Sequence, residues 1–330
     1  TAGAFRFNTD SSQLEIYDGN QWKGIQATSP EQQTGGTRGL FMGGETPGFD
    51  STIDYINVDT TGNTASDFGD LSGNTSAVSA LASRTRGVRG GGYTGSNTNI
   101  IDYVTISITS NTTDFGDLAE AKHWVQGGGN QIRGLFAGGN ANSPIGHTNT
   151  IEYITIAATG NAADFGDIAR KPSTSSGSAM NSPTRSVFGG GTDPSANALN
   201  TMEYVTTSTT GNAADFGDLT TNKIRYGGCS NAIRGLIGGG ATPSITASIT
   251  YITIATLGNT LDFGDLTSAR QNVGACASSI RAVWGGGSTP SDTNILDYVQ
   301  IPSTGNAVDF GNMSVTGDHR SACSNGHGGL

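Results

Sequence analysis

Most of this chain alternates between short apolar runs stopped by glycine and polar turns rich in Ser, Thr, Asn and Gly. The stretch around Arg281 sets the pattern. Asn272 to Cys276 reads as a first strand, a. Ile280 to Trp284 is a second, b, stopped by Gly285-Gly286-Gly287. Ile295 to Ile301 is a third, c. After the turn Ser303-Thr304-Gly305-Asn306, Ala307 to Phe310 is a fourth, d. β-branched residues dominate the longer runs and glycine interrupts every one, so helix is excluded in favour of strand.

That unit recurs. The stretch Gly211-Asn212-Ala213-Ala214-Asp215-Phe216-Gly217-Asp218-Leu219 has five relatives, around Phe68, Phe115, Phe165, Phe263 and Phe310. The steps between the phenylalanines are 47, 50, 51, 47 and 47 residues. A second anchor keeps the same phase: Arg38, Arg86, Arg133, Arg185, Arg234 and Arg281 each open a short apolar run that ends in glycines. A period of this length without helical patterning predicts propeller blades. The a positions are small throughout, as in Ser79-Ala80, Gly127-Gly128, Ser178-Ala179, Gly227-Gly228-Cys229, Gly274-Ala275-Cys276 and Ser321-Ala322-Cys323. Strands converging on an axis have no room for more, so a is the innermost strand.

The two ends are complementary. Strand b at Arg38 has no strand a before it, and the segment Gly317 to Asn325 resembles a strand a with no b after it. The C-terminal strand is therefore expected to complete the first blade, the closure that removes free edges. The expected fold is all-β: a six-bladed β-propeller of four-stranded blades over residues 38–330. A small β-meander over residues 1–25 precedes it, with a polar linker at 26–37. The meander shows as three short runs carrying Phe5, Phe7, Leu14, Ile16, Trp22 and Ile25, separated by turn residues. Alone it buries too little to be stable. Residues 1–25 are thus expected to serve in self-association, with a homotrimer as one form, or in docking.

Composition sharpens this. Apolar residues make up 34% and glycine numbers 51, which suits thin strands and tight turns. The net charge of −10 argues against nucleic acid and against anionic lipid surfaces. No apolar run approaches the length of a membrane span, and the start at Thr1 lacks the basic and apolar regions of a signal peptide. Three cysteines do not make a disulfide framework.

The order of Arg, strand, Gly-Gly, Tyr strand and aromatic resembles the kelch repeat over about 290 residues. Tyr55, Tyr103, Tyr153, Tyr204, Tyr251 and Tyr298 fall at its tyrosine, and Gly43-Gly44, Gly91-Gly92, Gly138-Gly139, Gly190-Gly191, Gly239-Gly240 and Gly286-Gly287 at its glycine pair. Phenylalanine stands where kelch has tryptophan. The N-terminal Phe5-Arg6-Phe7-Asn8-Thr9-Asp10, Leu14-Glu15-Ile16-Tyr17-Asp18-Gly19 and Trp22 resemble a short module of tailed-phage fibre and other virion appendage proteins. That resemblance implies a virion or extracellular setting with other virion proteins as partners.

Catalytic chemistry is thin. Six copies of Asp-Phe-Gly, with neither a kinase lysine strand nor a catalytic loop, are structural. Phe68 and Leu71, three apart, need a bulge or bend at Gly69 to reach one core. The aspartate pairs (Asp67/Asp70 and its relatives) lack calcium-loop spacing, and the sixth copy has Asn312. They are expected to cap turns and to pair with the repeated arginines. Cys229, Cys276 and Cys323 read as small inner-strand residues. The four histidines show no metal-ligand spacing. The ligand sets of kelch-like copper oxidases and sialidase boxes are missing, so no cofactor, metal or catalytic residue is assigned. The b–c loops vary most: Gly139 to Ile151 and Gly191 to Met202 span 12 and 11 residues, against 9 elsewhere. Contacts are expected on that face, from Phe49, Tyr93 and His147 on the loops and from His123, Trp124, His319 and Arg320 just before strand a. The expected activity is non-enzymatic display for contact with a host-surface glycan or protein. A free, secreted lectin-like propeller is the alternative.

Overall fold

Strands appear wherever the apolar pattern placed them, with bounds shifted by one or two residues. The structure, a computed structural model, describes residues 2–8, 13–24, 37–60, 64–144, 146–172 and 178–330. Residues 26–36 of the expected linker, and Ile25, lie outside them. The chain divides into two units, Thr1–Gln32 and Gln33–Leu330. In the first, Phe5–Asn8, Gln13–Tyr17 and Trp22–Gly24 form the expected antiparallel meander. Arg6 lies 4.4 Å above the Trp22 ring and pairs with Glu15 at 2.7 Å. Phe5 and Phe7, on the opposite face, are 63% and 62% exposed.

The described residues of the second unit form mainly six four-stranded antiparallel sheets, each ordered a-b-c-d. The sixth, for example, runs Gly274–Ala277, Arg281–Gly285, Ile295–Gln300 and Val308–Asn312. In the first sheet, strand a is the C-terminal Ser321–Ser324, antiparallel to Arg38–Met42. In the fourth, strand a is shorter and later than expected, Met180–Asn181, while Ser178 bridges to Gly127 of the third sheet. The inner strands are buried at every position. Cys229, Cys276 and Cys323 are free and buried there. Burial pushes their thiols up, Cys323 to about 12, so they act as small apolar fillers.

Six apolar clusters lie between successive sheets. Leu40, Ile53 and Phe68 of the first meet Ala80 and Val104 of the second. Phe41 and Ile56 of the first meet Val283, Leu296 and Phe310 of the sixth. Each sheet is therefore covered on both faces, which explains why strands b and c are apolar on both sides.

The nine-residue repeat is the device that joins neighbours. Phe68 is bulged out of the ladder between Asp67 and Gly69, and both Phe68 and Leu71 enter one cluster, as the spacing required. At Gly166 (φ +142°) the backbone of strand d meets the c–d turn of the next sheet; a Cβ there would lie 2.5 Å from the Gly211 carbonyl oxygen. Across that approach, Gly211 N donates to the Phe165 carbonyl at 2.7 Å, and Asn212 Oδ1 accepts from Asp167 N at 3.0 Å. The turn thus covers the outer strand's exposed edge.

The repeated arginines do not pair with the repeat aspartates. Each stacks on the tyrosine of its own sheet, guanidinium to ring 4.5 to 4.9 Å. Each also donates to a carbonyl of the following sheet, as Arg38 Nη1 does to Ile106 O at 2.9 Å. The tyrosine in turn meets the repeat phenylalanine edge-on at 5.8 to 6.0 Å. Asp67 caps its own bulge, accepting from Gly69 N at 3.2 Å. The buried ion pairs use other residues: acids on strand c meet cations such as Arg89 (Asp102, 2.8 Å), Lys122 (Glu152, 2.7 Å) and Arg270 (Asp297, 2.6 Å).

Candidate functional site

Just before strand a of five sheets the chain makes a tight reversal. Ala77, Trp124, Arg225, Asn272 and His319 occupy equivalent places there, all in the left-handed region with φ between +52° and +58°. Each such non-glycine residue costs about 1 kcal/mol or more. Successive reversals hold one another: Trp124 N donates to Ala77 O at 3.1 Å, Ala77 N to His319 O at 3.2 Å, and Asn272 N to Arg225 O at 2.7 Å. The backbone at this mouth is fixed by its neighbours, and the side chains it carries are the ones that vary.

A cavity of about 330 Å³ opens here, lined by Glu45, Ser76, Ala77, Tyr93, His123, Trp124 and His319. Tyr93 arrives on the second sheet's b–c hairpin, which is tied to Ser76 by paired backbone hydrogen bonds of 3.0 and 2.9 Å. His123 lies in a two-stranded ribbon, Lys122–His123 against Asn140–Ala141. Its Nδ1 meets Asn97 Oδ1 at 2.6 Å. Aromatic contacts run on from one loop to the next: Phe49 to Tyr93 at 5.7 Å, Tyr93 to His123 at 5.3 Å, His123 to Trp124 at 4.4 Å. Burial pulls the His123 imidazole down to about 4, so it is neutral at physiological pH and offers a ring face and a hydrogen bond rather than a charge.

Carboxylates come from distant parts of the sequence to the same place. Glu45, the residue after Gly43-Gly44, accepts from Ser76 Oγ at 2.8 Å. Asp318 receives His319 Nδ1 at 2.8 Å and Asn272 Nδ2 at 3.0 Å. Burial works to raise the Asp318 carboxyl, but these hydrogen bonds outweigh it and hold its pKa below the usual carboxylate value.

Of the residues marked in the sequence, Tyr93, His123, Trp124 and His319 share the cavity, and Phe49 buttresses it. His147 pairs with Asn140 along the backbone and lies close enough to act electrostatically on His123. Arg320 is no surface contact: it is fully buried and bound to Asp50 at 2.7 Å. Its place after His319 suggests the rim, but its side chain turns inward to Asp50. Glu45, Ser76 and Ala77 line the cavity without having stood out in the sequence. Glu45 had a signal, its register one residue past the glycine pair, where Tyr93 also stands.

The opposite end of the inner strands is narrow. Gly, Ala, Ser and Cys side chains leave about 30 Å³, room for a water or two. The tail closes it: His327 Nε2 meets Ala82 O at 2.7 Å, and Gly328 N donates to Ser230 O at 2.8 Å.

No protein-family model matches this chain, and a search of the curated proteins finds no match.

Proposed function

We propose that the second unit is a closed six-bladed β-propeller and that it works as a non-enzymatic binding disc on a virion appendage. In this reading residues 1–25 attach it to the particle or to further copies of itself. Closure is supported by the C-terminal strand's pairing with Arg38–Met42 and by the cluster that joins the sixth sheet to the first. The ligand is a host-surface carbohydrate. The observation that carries this is the cavity where Trp124, Tyr93 and His123 rings adjoin Glu45 and His319. Sugar rings present apolar C–H faces that stack on aromatics and hydroxyls that bond carboxylate and imidazole, and this combination offers both. The exposed Phe5 and Phe7 support the attachment role.

The test is a glycan array, including bacterial surface polysaccharides, probed with the full chain and with Trp124→Ala. A central aromatic contact carries about 2 kcal/mol or more, so the variant should bind the recognised glycan about 30-fold more weakly. A chain that binds no glycan, or a variant that binds as well as the parent, removes the carbohydrate reading. Light scattering separates the appendage from a free lectin-like propeller: trimers or larger assemblies fit the first, a monomer the second.

A further inference from the structure

Two groups that the carbohydrate reading uses, Glu45 and His319, also come together with Asp318 beside the cavity. We propose that Glu45, Asp318 and His319 form a site for one divalent transition-metal ion of the zinc class. One ligand atom from each lies within 4.8 Å of the others, and among the described residues no other group of His, Cys, Asp or Glu meets that test. The backbone brings them together without side-chain help: Glu45 N donates to Asp318 O at 2.9 Å and Asp318 N to Glu45 O at 3.1 Å. Asp318 Oδ1 lies 2.8 Å from His319 Nδ1, so an ion bound by both takes the place of the proton between them. Carboxylate oxygens keep acceptor capacity beyond the hydrogen bonds they already make.

An independent observation comes from Asn272. It is 3% exposed, its Nδ2 donates to the Asp318 carboxylate, and its Oδ1 has no partner. A buried acceptor left empty beside a carboxylate is costly and rare in a folded protein. A cation held by Asp318 gives that oxygen a partner, directly or through a coordinated water. Arg320, next along the chain, is already paired with Asp50. The donor set decides the class: one imidazole and two carboxylates suit zinc and its neighbours, whereas calcium and magnesium take oxygen alone. Glu45 and His319 line the cavity, so the ion's remaining positions are open to solvent. The site shares Glu45 and His319 with the carbohydrate reading but is tested without a glycan.

The experiment is calorimetric titration of the full chain, stripped with chelator, with zinc chloride. One ion per chain is expected. Glu45→Gln and His319→Gln should each weaken binding about tenfold or more, while His147→Gln leaves it unchanged. X-ray absorption at the zinc edge of the unmodified chain should show nitrogen and oxygen donors at about 2.0–2.2 Å. The second measurement does not depend on the variants folding. An absence of saturable binding, sulfur in the first coordination shell, or equal affinity in all three variants overturns the proposal.

Discussion

The fifth sheet breaks a rule that the other five keep, and the break makes a quantitative prediction. Strand c carries an acid at Asp54, Asp102, Glu152, Glu203 and Asp297, but Thr250 in the fifth sheet. Each acid accepts a backbone N–H from the loop after the preceding sheet, as Glu152 does from Ala119 at 2.7 Å. In the fifth sheet Thr260 Oγ1 does this instead, accepting from Thr220 N at 2.9 Å. The cation of that loop remains. Lys223, 2% exposed, sits where Lys122 meets Glu152, yet among the described residues its ammonium hydrogen-bonds the Ser248 carbonyl alone, at 3.2 Å, with Asp265 acting on it only electrostatically. Burial pulls its pKa from 10.5 to about 8. At about 1.4 kcal/mol per pKa unit, keeping it charged in the fold costs about 3 kcal/mol. Thr250→Glu supplies the missing partner. Desolvating the new carboxylate offsets part of the gain, leaving about 1–2 kcal/mol, or a rise of a few degrees in melting temperature.

The pH dependence has a definite sign. In the parent the unfolded chain binds more protons between about pH 8 and 10.5, because the folded Lys223 has the lower pKa. This group's contribution therefore improves as pH rises through that window. With the introduced carboxylate beside it the lysine pKa is restored, so the advantage of the variant should shrink from about pH 7 to about pH 10. Thermal melts of the parent, Thr250→Glu and the uncharged control Thr250→Gln across that range are the assay. A Glu variant no more stable than the Gln variant at neutral pH, or an advantage that does not vary with pH, would refute the reasoning.

Two further outcomes follow from the way sheets are joined. Gly217→Ala should destabilise by several kcal/mol, since φ is +137° and the new Cβ would lie 2.5 Å from the Gly258 carbonyl oxygen; a denaturant midpoint near the parent's would show that the close approach relaxes freely. Deleting residues 321–330 exposes the backbone edge of Arg38–Met42 and uncovers Leu40 and Phe41, both fully buried in the intact chain. The truncated chain should aggregate or melt far below the parent in a light-scattering melt, and a soluble monomer of unchanged melting temperature would contradict the closing role of the tail.

The repeat, the strand order, the small inner strands and the pairing of the tail with Arg38–Met42 were all written in the sequence, because each depends on local spacing repeated in phase. A bulge at Phe68 followed from the three-residue gap to Leu71, since a regular strand cannot bury both on one face. Partner choice was not legible. Arg38 faces both a carbonyl 68 residues away and the ring of Tyr55, and nothing in the order of residues says that a stacked, hydrogen-bonded guanidinium wins over a nearby aspartate. The cavity was half legible: Tyr93, His123, Trp124 and His319 announced themselves as unusual residues at turn positions. That Glu45 meets Asp318, and that Arg320 turns inward to Asp50, was decided by the tertiary structure alone. The first and sixth sheets become neighbours only when the tail completes the first, and that contact brings together groups from the two ends of the second unit.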